Sequence, residues 1–226
     1  MKYYWLSSED EHRVNWLIFL ADPNRRLRER YRPLACSECG RVNELEALRH
    51  GFDRDVRLRS KFDYFMSDDG FDCVNKRGRA IFEESGAMGL EFVPIPDGQH
   101  FVVVPTQRVE VKREQLEVRE TQVMDLDAIA RNPSLIATAR KSVRVEVDSC
   151  GMEFRGCCGA CGRCFETLYW PKLNSMILPK DASLVVSPDV LSEKSWHSVV
   201  WLLASEAIVK SLQKAGLRGL EPVEAS

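Results

Sequence analysis

The sequence predicts an α+β fold of mixed or antiparallel sheets and short helices around a small cysteine knuckle, on three observations. Short runs of β-branched residues are scattered along the chain, two glycine-terminated helical segments recur at a fixed spacing, and a rare cysteine hexapeptide occurs twice. The 226 residues, 44% of them hydrophobic, are enough for a substantial core in one compact body spanning 1–226.

The strands come first. Segments 100–105 (HFVVVP), 108–112 (RVEVK), 116–124 and 142–148 (SVRVEVD) alternate or run apolar, which is the pattern of half-buried or buried strands. Val109, Val111, Val143, Val145 and Val147 fit one buried sheet face. Shorter apolar segments at 71–74, 184–187 and 199–203 read the same way, and the rest of 173–188 reads as irregular. Segments 126–131 and 134–141 read as short helices separated at Pro133, which cannot continue a helix.

Two further helices are marked by their ends. Asn75 and Ser205, 130 residues apart, are good N-cap residues, and Gly86 and Gly216 stand where a left-handed glycine would end each helix after about three turns. Gly89-Leu90-Glu91 and Gly219-Leu220-Glu221 follow at the same spacing. Each unit reads strand, helix, strand. With a cysteine turn ahead of each, the chain carries a possible internal repeat, 36–91 and 158–221, and reads as two similar halves.

The hexapeptide is Cys36-Ser-Glu-Cys39-Gly40-Arg41, repeated as Cys158-Gly-Ala-Cys161-Gly162-Arg163. A Cys-x-x-Cys turn aims two sulfurs at one point, and the following glycine lets backbone amides face them. Two such turns supply the four thiolates of a closed tetrahedral zinc site, so Cys36, Cys39, Cys158 and Cys161 are the expected ligands of a structural Zn2+ in a zinc-ribbon-like knuckle. Cys157 and Cys164 offer overlapping pairs, but Cys161 with Cys164 lacks the glycine and arginine of the first copy. A dithiol redox pair is the competing reading, with Cys161 and Cys164 as a thiol oxidoreductase. Neither turn is followed by the amphipathic helix that such centres use. Cys73 and Cys150 read as small buried apolar residues or spare thiols.

Composition narrows the function. A net charge of −2 and a pI of about 6.1 argue against a protein whose main task is holding nucleic acid. The local exception is Arg25, Arg26, Arg28, Arg30 and Arg32, offset only by Glu29. This run is either a solvated face or a docking patch for an acidic partner or RNA, and the latter would make the chain a zinc-ribbon nucleic-acid-binding or regulatory protein. Trp16 and Trp196 are the aromatic candidates for a protein interface. Phosphate loops, a GxSxG elbow and HExxH are missing from the sequence, His12, His50, His100 and His197 lack ligand spacing, and Ser67-Asp68-Asp69-Gly70 reads as a turn. These features predict a non-enzyme. The opening residues lack a signal-peptide pattern and no apolar run approaches ~20 residues, so the expectation is a cytoplasmic protein with reduced cysteines and no membrane association.

The opening 1–6 (MKYYWL), Cys36/Cys39/Gly40, Cys158/Cys161/Gly162, and the closing Leu203-Ala-Ser-Glu206 with Ala215-Gly-Leu-Arg-Gly-Leu220 together resemble the double-CxxCG-motif proteins found as myxobacterial paralogues. That family includes immunity proteins of contact-dependent, swarm-inhibition toxin systems. The resemblance spans nearly the whole chain, and the additional Cys157 and Cys164 depart from a plain double motif. It implies a cytosolic immunity protein that binds and neutralises one cognate toxin protein.

Overall fold

The structure is a computed structural model that describes residues 2–9, 15–20, 26–42, 44–106, 110–111, 117–147, 153–161, 164–167, 176–177, 184–186 and 202–225. In chain order the elements are β1 (Tyr3–Ser8), a 3-10 helix (Glu29–Leu34), α1 (Glu44–Arg49), β2 (Tyr64–Met66), β3 (Asp72–Asn75), α2 (Lys76–Glu84), β4 (Leu90–Pro94) and β5 (His100–Pro105). They continue with β6 (Glu110–Val111), β7 (Glu117–Met124), α3 (Leu126–Arg131), a 3-10 turn (Pro133–Leu135), β8 (Arg140–Val147), β9 (Glu153–Cys157) and β10 (Cys164–Thr167). The last are β11 (Met176–Ile177), β12 (Leu184–Val186), β13 (Leu202–Ser205), α4 (Glu206–Lys214) and β14 (Leu220–Glu224).

The described strands form three four-stranded sheets, ordered β2-β3-β5-β4, β12-β13-β1-β14 and β10-β9-β8-β7, and a two-stranded pair β11-β6. All the pairings are antiparallel. In the first sheet β5 lies between β3 and β4, the two strands that flank α2. In the second, β1 from the start of the chain lies between β13 and β14, the strands that flank α4. Tyr3 faces Ser205 and Trp5 faces both Leu203 and Val223, so the opening and closing segments are one ladder.

Both capped helices form. The Asn75 side chain accepts a bond from the Gly78 amide, the Ser205 hydroxyl accepts one from Ile208, and Gly86 and Gly216 take φ of 81° and 71° just past the helix ends. At α4 the Leu217 amide reaches back to Leu212 O and Gly216 to Gln213 O, satisfying carbonyls that the helix end would leave open. Both helices pack on a shared core. Ile81 and Phe82 of α2, Ile208, Val209 and Leu212 of α4, and Leu6, Tyr64, Val74, Val103, Leu202 and Ala204 of two sheets form one buried cluster.

A second cluster gathers Leu17, Ile18, Phe19, Tyr31, Val42, Leu48 and Phe52 against Phe65, Cys73 and Val102 of the first sheet. Cys73 is fully buried there and its thiol donates to Phe71 O at 3.4 Å, so it behaves as a small core residue. The acidic run 67–70 is a turn with a task. Asp68 Oδ2 accepts from the Asn15 amide, and Asp69 Oδ2 accepts from Leu17 and Ile18 at 2.7 Å each. Their carboxylates therefore clamp the chain at 15–18 onto the sheet rather than stand free for a cation.

One expected helix is overturned. Segment 134–141 contains only the end of the 3-10 turn at Pro133–Leu135, a turn through Thr138, and the first residues of β8. The Asn132 side chain accepts from the Ser134 amide, and the Ala139 amide bonds to Leu135 O, which closes a compact turn instead of propagating a helix. The pairing of Met124 with Arg140 then continues for eight residues to Glu117 with Val147. Val145 is 1% exposed, as the alternation of 142–148 predicts, while Val143 is half-buried and Val109 lies outside the described residues.

Candidate metal centre

Each cysteine turn is the tip of a small antiparallel loop. Ala35 bridges to Val42 around Cys36 and Cys39, and Cys157 pairs with Cys164 around Cys158 and Cys161. The flanking pair sits one residue before the first cysteine and three after the second in both cases. In the first turn the Cys36 amide donates to Arg41 O and the Gly40 amide to Cys36 O, both at 2.8 Å, with Gly40 at φ 71°. Glycine is favoured at that φ because a Cβ would strain the left-handed backbone that closes the turn.

The two turns meet. Cys36 Sγ lies 3.8 Å from Cys158 Sγ, Cys39 Sγ lies 3.6 Å from Cys161 Sγ, and all four sulfurs fall within 4.8 Å of one another. Zinc–sulfur bonds of ~2.3 Å in a tetrahedron put sulfurs about 3.8 Å apart. The observed set has that size, so the four residues fit a metal ion. Cys158 is buried and the other three are half-buried, which gives a closed site at the junction of the turns.

Electrostatics point the same way. The amides of Cys39 and Glu38 face the Cys36 sulfur and bring its thiol down to about 6, whereas burial pushes the Cys39 thiol up to about 12. Cys36 and Cys39 are therefore pushed in opposite directions and do not ionise together unaided. A divalent cation would supply the charge that makes all four thiolates, and loading the site would release protons.

Cys157 and Cys164 occupy strand positions directly opposite each other, equivalent to Ala35 and Val42, outside the turn that carries Cys158 and Cys161. The sequence held the signal for this in the constant spacing of the flanking pairs. Without the bridge at Ala35 and Val42 in view, it had no physical reading.

The arginine run is largely committed to its own chain. The Arg28 guanidinium donates to both Asp55 carboxylate oxygens at 3.0 Å and to Phe19 O at 3.2 Å. Arg30 pairs with Asp53 at 3.2 Å and Arg32 with Glu29 at 2.9 Å. Arg26 is exposed, and Arg25 lies outside the described residues. Trp16 is half-buried edge-on to Phe19, with ring centroids 5.9 Å apart, and packs against the second core cluster, that of Leu17, Ile18 and Phe19. Trp196 lies outside the described residues. None of the described helices is long and apolar enough to cross a membrane.

Compared with known proteins, the chain matches no family model, and no curated protein matches it significantly.

Proposed function

We propose that this is a non-enzymatic immunity protein, stabilised by one structural Zn2+, that binds and neutralises a cognate contact-dependent toxin in the cytosol. The observation that supports the zinc-stabilised part of this reading is the four-sulfur set, in which two CxxCGR turns 122 residues apart converge at tetrahedral spacing, and the immunity role rests on the family resemblance. Four protein ligands leave no open coordination position, so the ion would supply cross-linking rather than Lewis-acid chemistry. The chain's own residues would hold it through the four sulfurs, with backbone amides facing Cys36 and Cys39 and with Cys158 buried.

In this reading the metal joins two similar halves, and ladder registers support it. Aligning Asn75 with Ser205 puts Phe101 and Val102 at the places of Tyr4 and Trp5 against both neighbouring strands, and His100 at the place of Tyr3 against the strand before the helix. Closing bonds follow the same equivalence. The Thr106 amide donates to Gly89 O at 2.7 Å as Glu9 does to Gly219 O at 3.0 Å, and Ile95 donates to His100 O as Ala225 does to Tyr3 O, both at 2.9 Å. The N-terminal strand thus fills in the second sheet the place β5 fills in the first.

The segments that carry the family resemblance are framework in this arrangement, since the opening strand pairs with the closing one and the cysteine turns pin each other. Partner recognition falls to side chains elsewhere, and a few aromatic or arginine residues would dominate its energy. The alternative of a nucleic-acid-binding zinc ribbon is weakened by the carboxylates already held by Arg28 and Arg30.

The test is titration of the purified protein against the toxin encoded beside its gene. Inhibition that saturates at one molecule per toxin supports the reading. Inactivation of excess toxin by catalytic amounts, or tight nucleic-acid binding at physiological salt without a protein partner, contradicts it.

A further inference from the structure

Among the described residues, the edge strands of the three larger sheets are not alike. β2 and β12 are three residues long and β10 is four, while β4 and β14 are five residues each and carry Pro94 and Pro222. Short or proline-bearing edges resist pairing with another chain. β7 is the exception. Its eight residues contain neither proline nor glycine, and among the described strands it pairs with β8 alone, along its full length. Arg119, Glu120, Gln122 and Met124 are exposed on it. An edge of this length without a described partner presents a row of amides and carbonyls of the kind that stable proteins blunt or cover.

We propose that β7 is an interface with a second copy of this chain, the two β7 strands pairing antiparallel about a two-fold axis at Thr121. Strand register selects this axis. A two-fold axis perpendicular to the sheet opposes residues of the same face, so the axis must pass through a residue. At Glu120 it would set two carboxylates against each other, and at Arg119 two guanidiniums. At Gln122 only five strand residues would overlap. At Thr121 the pairs are Val118 with Met124, Arg119 with Val123 and Glu120 with Gln122, so no like charges are opposed and seven residues of each strand are paired. The exposed Met124 stands opposite position 118 of the other copy, and two four-stranded sheets become one of eight. This interface is independent of the immunity reading.

The Glu120–Gln122 pair gives the test, because it occurs twice across the axis and both side chains are exposed in one copy. Sedimentation equilibrium of the full chain is expected to show a reversible dimer. Gln122→Lys places a cation opposite each Glu120 and should tighten the dimer by roughly threefold or more. Gln122→Glu opposes like charges and should loosen it by a similar factor. Near-unchanged thermal unfolding of both variants at low concentration would show that the folded chain is intact. A wild-type chain that stays monomeric overturns the proposal, as it would if β7 served a strand of a different protein. A dimer indifferent to both substitutions overturns it too, because the contact would then lie elsewhere.

Discussion

Asp63 and Arg218, 155 residues apart in sequence, form a two-pronged ion pair in which the Arg218 Nε and Nη2 each donate to the Asp63 carboxylate at 3.0 Å. The Arg218 amide adds a third bond at 3.2 Å, and Arg218 O accepts from the amides of Asp63 and Tyr64. Arg77, in the first turn of α2, also donates to Asp63 and spans to Gly216 O at 3.1 Å, where the dipole of α4 is negative. The carboxylate is fully buried while both guanidiniums reach solvent. It is the polar joint between the bend that leads into β2 and the turn after α4.

Asp63→Asn should therefore destabilise the chain by about 2 kcal/mol, since it leaves two guanidiniums without their charge partner while water can still reach them. Burial alone would raise this carboxyl, but bonds from Arg218 and Asn75 and the nearby Arg77 charge outweigh it and hold it at about 2. A depressed folded value contributes stability above the ordinary ~3.9 and loses it as pH falls towards 2. Urea melts between pH 5 and pH 2 should show this loss in the wild type and a shallower one in the variant.

Asp72 has the opposite sign. Burial pushes its carboxyl up to about 7, against the lowering effect of the bond it accepts from the Tyr64 hydroxyl. The folded state then holds a proton that the unfolded chain has released, so this group's contribution to stability falls as pH rises from about 4 to 7. Asp72→Asn keeps an acceptor for Tyr64 and avoids the buried charge. The variant is expected to gain stability relative to wild type with rising pH, by on the order of 2 kcal/mol at pH 8. Equal pH dependence of the two proteins would contradict this.

Gly219 and Gly86 separate backbone strain from crowding. Both have positive φ, 90° and 81°, but a Cβ on Gly219 would lie 2.2 Å from Tyr64 O and 2.6 Å from Phe62 Cβ, whereas one on Gly86 meets nothing within 4 Å. Gly86→Ala should cost about 1 kcal/mol. Gly219→Ala should cost about 3 kcal/mol or more, because the turn that carries Arg218 must move away from the sheet. Chemical denaturation of the two variants measures the difference.

The parts of this fold that sequence revealed are those set by local chemistry. Asn75, Ser205, Gly86 and Gly216 act within one helix turn of themselves, so their roles follow from residue type. The alternation in 142–148 likewise placed Val145 on a buried face. Long-range placement was hidden. Nothing in 1–8 says that β1 lies between β13 and β14, because a strand's neighbours depend on the rest of the chain. The helix expected at 134–141 failed because the pairing of Arg140 onward with β7 outweighed local helix preference. At the candidate site the four cysteines were legible from motif spacing, whereas the ion pairs that occupy Arg28 and Arg30 depend on Asp53 and Asp55, more than twenty residues away.

The claim on which the account rests most is that Cys36, Cys39, Cys158 and Cys161 hold one zinc ion between them. Native mass spectrometry of protein purified under reducing conditions with zinc present measures it directly. The expected result is one zinc per chain, retained in Cys73→Ser and lost in Cys36→Ser and Cys161→Ser, with the two ligand variants also melting at lower temperature. A wild-type chain that takes up no metal, or a Cys161→Ser variant that keeps its full zinc content, would contradict it.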